Sequence, residues 1–272
     1  MPHCPALARD ARSMVMNDPA TPSGLAALAN PGRFLALATR LLPWLSMVTV
    51  ILLVSGLYAA FFIAPPDYQQ GETVRVMFIH VPSAWLSLGI YTMMAIAALG
   101  TLVWRHPLAD VTIKAAAPLG AVFALICLVT GSLWGRPMWG TWWVWDARLT
   151  SMFVLFLMYA GIIALAQAIE EPTRAGKAVA ILVLVGFINI PIVKFSVDWW
   201  NTLHQGASVF RAGGPTLDPS ILWPLLLMAL ALSCLFAVMQ LLAMKAEIAR
   251  RRARTLSILA ASRPASRATI GR

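Results

Sequence analysis

Six long apolar runs, separated by short polar stretches, limit this chain more than any other feature. A helix needs about 20 predominantly apolar residues to cross the hydrocarbon of a bilayer, and residues 43–64, 82–104, 115–134, 149–169, 178–197 and 222–244 each meet that requirement. Hydrocarbon offers the backbone no hydrogen-bond partner, so such runs cross as helices. Of the 272 residues 60% are hydrophobic and 12% charged, with a mean hydropathy of +0.76. A water-soluble enzyme, a disordered chain and a secreted disulfide scaffold are all excluded by that balance. The expectation is an all-α integral membrane protein, a bundle of six transmembrane helices. The fifth run is the least regular, because it contains Asn189, Pro191 and Lys194; Pro191 predicts a kink.

The net charge of +10 is unevenly spread. Sixteen Lys and Arg residues fall in the two termini and the second and fourth loops, against five toward the opposite side, Arg75, Arg136, Arg148, Lys194 and Arg211. Cytoplasmic loops carry the positive excess, so both termini are expected in the cytoplasm and loops 65–81, 135–148 and 198–221 outside. The basic residues thus describe membrane orientation and do not suggest nucleic acid as a partner. Residues 1–28 are expected to be a disordered extension, 29–245 the membrane domain and 246–272 a basic cytoplasmic tail. Residues 33–42 read as a short amphipathic helix lying on the inner surface. The Arg250–Arg254 cluster reads as an anchor near anionic lipid. Cys4, Cys127 and Cys234 are far apart and form no Cys-x-x-Cys pair, which excludes a dithiol centre and covalent haem attachment through Cys-x-x-Cys-His.

The outer loops carry the chemistry. Five of the 11 tryptophans, Trp134, Trp139, Trp142, Trp143 and Trp145, lie within 12 positions, interrupted by Gly135, Pro137 and Gly140. Trp199, Trp200 and Trp223 fall on the same side. An interfacial aromatic belt spreads its residues over all helix ends; a concentrated loop with helix breakers reads instead as a platform for a flat apolar ligand. Two of the four histidines, His80 and His204, face the same side, whereas His3 and His106 do not. Neutral imidazoles above and below a macrocycle would give six-coordinate haem iron. A structural zinc site wants four N or S ligands, and this side has no cysteine. Spacing alone leaves haem, another metal or none open. Arg75, Arg136, Arg148 and Arg211 could meet carboxylates of a ligand, with Arg75 and Arg148 nearest the expected pocket. Asp146 could instead cap the following helix, and Arg148 could pair with it.

The segment from Trp139 to Thr150, Trp-Gly-Thr-Trp-Trp-Val-Trp-Asp-Ala-Arg-Leu-Thr, resembles the tryptophan-rich WWD signature of haem-handling membrane proteins in cytochrome c maturation. Its Asp-Ala-Arg-Leu-Thr ending is similar to the CcmC (haem exporter protein C) family. Phe78-Ile-His80-Val-Pro and Asn201-Thr-Leu-His204-Gln-Gly look like that family's two histidine segments. The likeness runs from about Asn30 to about Lys245. It implies a multi-pass protein of the bacterial inner membrane that holds non-covalent haem b on the periplasmic face. His80 and His204 would be the axial ligands; Trp134, Trp139, Gly140, Trp142, Trp143, Trp145, Asp146, Arg75 and Arg148 would bind the rest of the cofactor. It further implies presentation of that haem to the chaperone CcmE, in company with the ABC transporter subunits CcmA and CcmB and the small protein CcmD. No residue suited to catalysing covalent attachment is evident. The competing readings are a cytochrome b-like electron carrier with two histidine ligands and a subunit that conducts haem through the membrane.

Overall fold

The computed structural model describes residues 30–261. Helix α1 (Pro31–Tyr58) starts where Asn30 Oδ1 accepts the Gly32 N–H at 2.8 Å and Pro31 occupies the first helical position. It widens into a π-helical turn, Ala59–Ile63, and Pro65-Pro66 then stops it. The carbonyls stranded by that stop are partly satisfied by Arg75, whose Nη1 donates to Ala60 O at 2.9 Å and Ala64 O at 3.4 Å. Arg75 sits on a 3₁₀ turn (Glu72–Val76) that leads into α2 (Met77–Val103). Helix α3 (Ala109–Trp139) ends at Gly140, whose φ of 74° is the left-handed conformation glycine adopts freely. Asp146 caps α4 (Ala147–Ala168), its Oδ1 accepting the Leu149 N–H at 2.8 Å. Glu171 caps α5 (Pro172–Gly186) by accepting from Thr173 and Arg174, and those N–H groups hold its carboxyl below the usual range. Two further helices follow, α6 (Asn189–Trp199) and α7 (Pro219–Ala261).

Together these form six elements long and apolar enough to span a bilayer, with α5 and α6 counted as one. Near the kink expected at Pro191, a turn at residues 187–188 interrupts the regular α-helix. Pro191, in the first turn of α6, has no N–H to continue the ladder, and the side chain of Asn189 crosses to donate to Ser151 O at 2.9 Å. Helix α2 packs against α3, α5 and α7; α3 also meets α4, and α4 meets both α5 and α6. Helix α1 packs mainly on α7 and, with its π-helical turn, leaves Trp44, Val50, Val54 and Phe62 uncovered, as a lipid-facing helix does. Between α2, α3 and α4 the core is filled by fully buried Tyr91, Met94, Leu155 and Tyr159. The Tyr159 hydroxyl donates to Ser87 O at 2.6 Å.

Three expectations change. Residues 33–42 form the first turns of α1 and do not lie apart on a surface: Ala38 and Leu42 are buried, and Lys245 Nζ on α7 donates to Thr39 Oγ1 at 2.9 Å. Pro43 fails to divide them from the span. The basic segment after Lys245 continues as helix to Ala261, and Arg251 is committed to Asp110 and Glu247, both at 2.8 Å, so that cation is not free for lipid. Gly135 and Pro137 lie inside α3, and only Gly140 ends it. Gly135 is there for close packing, since a Cβ would stand 2.8 Å from the folded-back ring of Trp139. The extension expected to be disordered, 1–28, lies outside the described residues.

Two glycines of the α3–α4 pair differ in their surroundings. A methyl on Gly120 would overlap the buried ring of Tyr159, whereas one on Gly161 meets nothing within 4 Å. Gly120→Ala should therefore destabilise the protein in detergent by about 1–3 kcal/mol, and Gly161→Ala should stabilise it by roughly 0.5–1 kcal/mol. Thermal midpoints of the two variants check this; equal midpoints would contradict the packing described.

Candidate functional site

At the end of the bundle opposite the start of α1 and the finish of α7, the helices part around a cavity of about 500 Å³, within the range of small-molecule and cofactor sites. Elements distant in the chain supply its wall. His80 comes from the first turn of α2, Trp134 and Trp139 from the last turns of α3, and Trp143 from the loop before α4. Arg148 comes from the start of α4, and His204 from residues 200–218, which contain neither helix nor strand.

His80 is fixed by α3. Its Nδ1 lies 3.0 Å from Cys127 O and 3.1 Å from Thr130 Oγ1. A carbonyl only accepts, and the Thr130 hydroxyl already donates to Ile126 O at 2.6 Å. Nδ1 therefore carries the proton and donates, which leaves the Nε2 lone pair open to an electrophile. Gly131 permits this approach, because a Cβ there would stand 2.8 Å from His80 Cε1. Trp134 meets the imidazole edge to face at 5.6 Å and is itself oriented by donating from Nε1 to Gln70 Oε1 at 3.0 Å.

His204 is held differently. Its ring stands edge to face with Trp139 at 4.8 Å, and its Nδ1 is 3.7 Å from Asp146 Oδ2, beyond hydrogen-bond range. Burial pushes its pKa down to about 4 even though the Asp146 carboxylate opposes that shift, so near neutral pH the ring is uncharged and able to ligate. Two buried donors facing the cavity, His204 Nδ1 and Trp143 Nε1, have no hydrogen-bond partner. Unpaired buried donors are uncommon in a finished interior and fit a space built for a ligand.

The expected site residues divide into three groups. His80, His204, Trp134, Trp139, Trp143 and Arg148 share the cavity wall. Asp146 stands behind it as the cap of α4, and Gly140 ends α3 with its carbonyl accepting from Arg136. Trp142, Trp145 and Arg75 are not part of the wall. Trp145 is 75% exposed, Trp142 54% exposed with the Arg136 guanidinium 5.8 Å from its ring, and Arg75 is the brace of the π-helical turn. Arg148 does not pair with Asp146; its Nε donates to Ser196 Oγ on α6 at 2.8 Å. Reading the sequence missed Lys194 and the supports Cys127, Thr130 and Gly131. The spacing of those three on one face of α3 carries a signal only once that face is known to meet a histidine. Among the described residues no group of three or more His, Cys, Asp or Glu side chains could hold a metal ion. A bare zinc site therefore has no support, whereas two imidazoles on one cavity wall suit a metal that brings its own further ligands.

Residues 24–259 match the family described as CcmC, heme exporter protein C. The heme exporter protein C of Bradyrhizobium diazoefficiens is 63% identical over 244 residues, covering 90% of this chain and 92% of the relative. That of Escherichia coli K12 is 50% identical over 198 residues (73% and 80%), and that of Paracoccus denitrificans 42% over 225 residues (82% and 93%). With the match spanning all six membrane elements and both histidine segments, the chain belongs to the heme exporter protein C family.

Proposed function

We propose that the protein serves haem export for c-type cytochrome biogenesis by holding non-covalent haem b in the cavity between His80 and His204. The observation that carries this reading is the pair of imidazoles on the wall of one tryptophan-lined cavity, the first with its Nδ1 donating to the Cys127 carbonyl. Trp134, Trp139 and Trp143 would cover the apolar ring. Arg148 and Lys194 supply cations for the propionates. Haem itself contributes the iron and vinyl chemistry, and the protein contributes position, exclusion of water and ligand geometry.

The cavity lies at the end of the bundle with fewer basic residues, and by the positive-inside rule that supports a position on the periplasmic face of the inner membrane. Exposed Trp142, Trp145, Trp199 and Trp200 beside it suit presentation to the haem chaperone CcmE. The same reading makes CcmA, CcmB and CcmD its partners in the membrane. A haem-conducting path is less consistent with the packing, because Tyr91, Met94, Leu155 and Tyr159 fill the middle of the bundle. A permanent cytochrome b-like carrier is less consistent with His204, which lies outside any helix.

The purified protein is expected to contain acid-extractable haem with a low-spin visible spectrum. His80→Ala and His204→Ala should each lose the low-spin form, and unchanged spectra in both would refute the axial assignment. Gly131→Ala should perturb the spectrum without removing a ligand, because the added methyl displaces the His80 ring. The tryptophans should separate by position: Trp143→Ala should lower haem content more than Trp145→Ala, as measured by extraction after matched purification. Equal losses would argue against the cavity as the haem site.

A further inference from the structure

The two imidazoles are tied to the protein by very different means. His80 belongs to a helix, and its Nδ1 has two acceptors on the neighbouring helix, at 3.0 and 3.1 Å. Gly131 lets the α3 backbone press against the ring, so moving this imidazole means separating α2 from α3. His204 belongs to residues 200–218. The hydrogen bonds of that segment are largely internal: His204 N donates to Thr202 Oγ1 at 3.1 Å, Gly214 N to Arg211 O at 3.2 Å, and Thr216 N to Ser208 O at 2.9 Å. Gly213 and Gly214 turn it with φ of 93° and 85°.

Its polar ties to the body are few and long, beside the ring contact of His204 with Trp139 and the packing of Val209 and Leu217 on the apolar cluster around Phe78 and Leu225. Leu203 N donates to Asp146 Oδ2 at 3.4 Å, His204 Nδ1 faces the same oxygen at 3.7 Å, and Phe210 meets Trp85 at 5.0 Å between ring centroids. One carboxylate therefore has two tasks. Asp146 Oδ1 is committed to capping α4, and Oδ2 faces the segment that bears His204.

We propose that His204 is the exchangeable axial ligand and His80 the permanent one, with residues 200–218 acting as a strap that Asp146 latches. The proposal rests on the haem reading above. Release breaks the bond between iron and the His204 nitrogen, and an outside neutral donor forms a new bond at the vacated position. The imidazole leaves uncharged, the iron keeps its oxidation state, and no proton has to move. Asp146 is a positioning residue here: it touches the strap and the His204 ring, not the iron. Free carbon monoxide, bound to the reduced haem, serves as the outside donor in the test.

The haem-loaded, full-length protein is reduced and mixed with carbon monoxide, and the loss of the low-spin spectrum is timed. In parallel, amide hydrogen exchange is followed by mass spectrometry. Carbon monoxide should speed exchange in peptides spanning 200–212 and leave those spanning 77–84 unchanged. Asp146→Asn should raise the rate of ligand replacement about tenfold, the usual scale for removing a group that orients a metal ligand. Its thermal midpoint should hold, because Asn caps a helix as well as Asp does. Faster exchange in 77–84, or in neither segment, overturns the proposal, as does an Asp146→Asn rate within about twofold of the parent, below that scale. A parent protein without a low-spin spectrum overturns the haem reading and the strap together; a low-spin spectrum with either of the other results overturns the strap alone.

Discussion

Hydrocarbon leaves a polypeptide no outside partner for its N–H and C=O groups, and the distribution of chemistry in this chain follows from that constraint. The described elements that cross are helical, and irregular backbone collects at their ends, apart from the interruption at residues 187–188. Beside that interruption the Asn189 amide donates to Ser151 O and ties it to α4. The stop at Pro65-Pro66 has its own repair in the Arg75 guanidinium. A ligand site assembled from loops, tryptophans and a helix-terminal histidine can therefore form only at one end of the bundle.

The two ends are built for different work. At the end where α1 starts and α7 finishes, Arg251 joins Asp110 on α3 to Glu247 on α7, and Lys245 reaches Thr39 on α1, so charge serves to hold helices together. At the other end aromatic rings line an open cavity. Burial keeps His204 neutral there, and the proposed haem ligation requires that state.

The spans were legible in the sequence because hydropathy over about 20 residues integrates a strong signal. Their limits were not. Residues 33–42 have the alternation of a surface helix, yet α1 runs through them because α7 offers Ala38 and Leu42 somewhere to pack. The tryptophan cluster was equally plain, but which indoles share the cavity depends on where α3 stops. With the helix extending to Trp139, Trp134 and Trp139 turn toward the histidines, while Trp142 and Trp145 fall in the loop and face out. Arg75 looked like a partner for a carboxylate because a cation five residues before a histidine invites that reading. Its use as a brace depends on a π-helical turn that has no sequence signature. Cys127, Thr130 and Gly131 carried no signal at all, because a backbone carbonyl, a hydroxyl spent on its own helix and a missing side chain leave nothing for a motif to record.

The Asp-Ala-Arg portion of the tryptophan segment now has a physical account. Asp146 is the cap of α4 and Arg148 lies within its first turn, so the two side chains leave one helix terminus in different directions. The carboxylate closes the open N–H of Leu149 with one oxygen and faces Leu203 and His204 with the other. The guanidinium crosses to Ser196 on α6 and borders the cavity. Three elements, α4, α6 and the His204 segment, are thus referred to a single turn of helix. Of the three connections, the one to α6 is a hydrogen bond of ordinary length and the one to His204 is not. The geometry of this turn therefore fixes the rigid wall of the cavity and leaves its second histidine the easier to move.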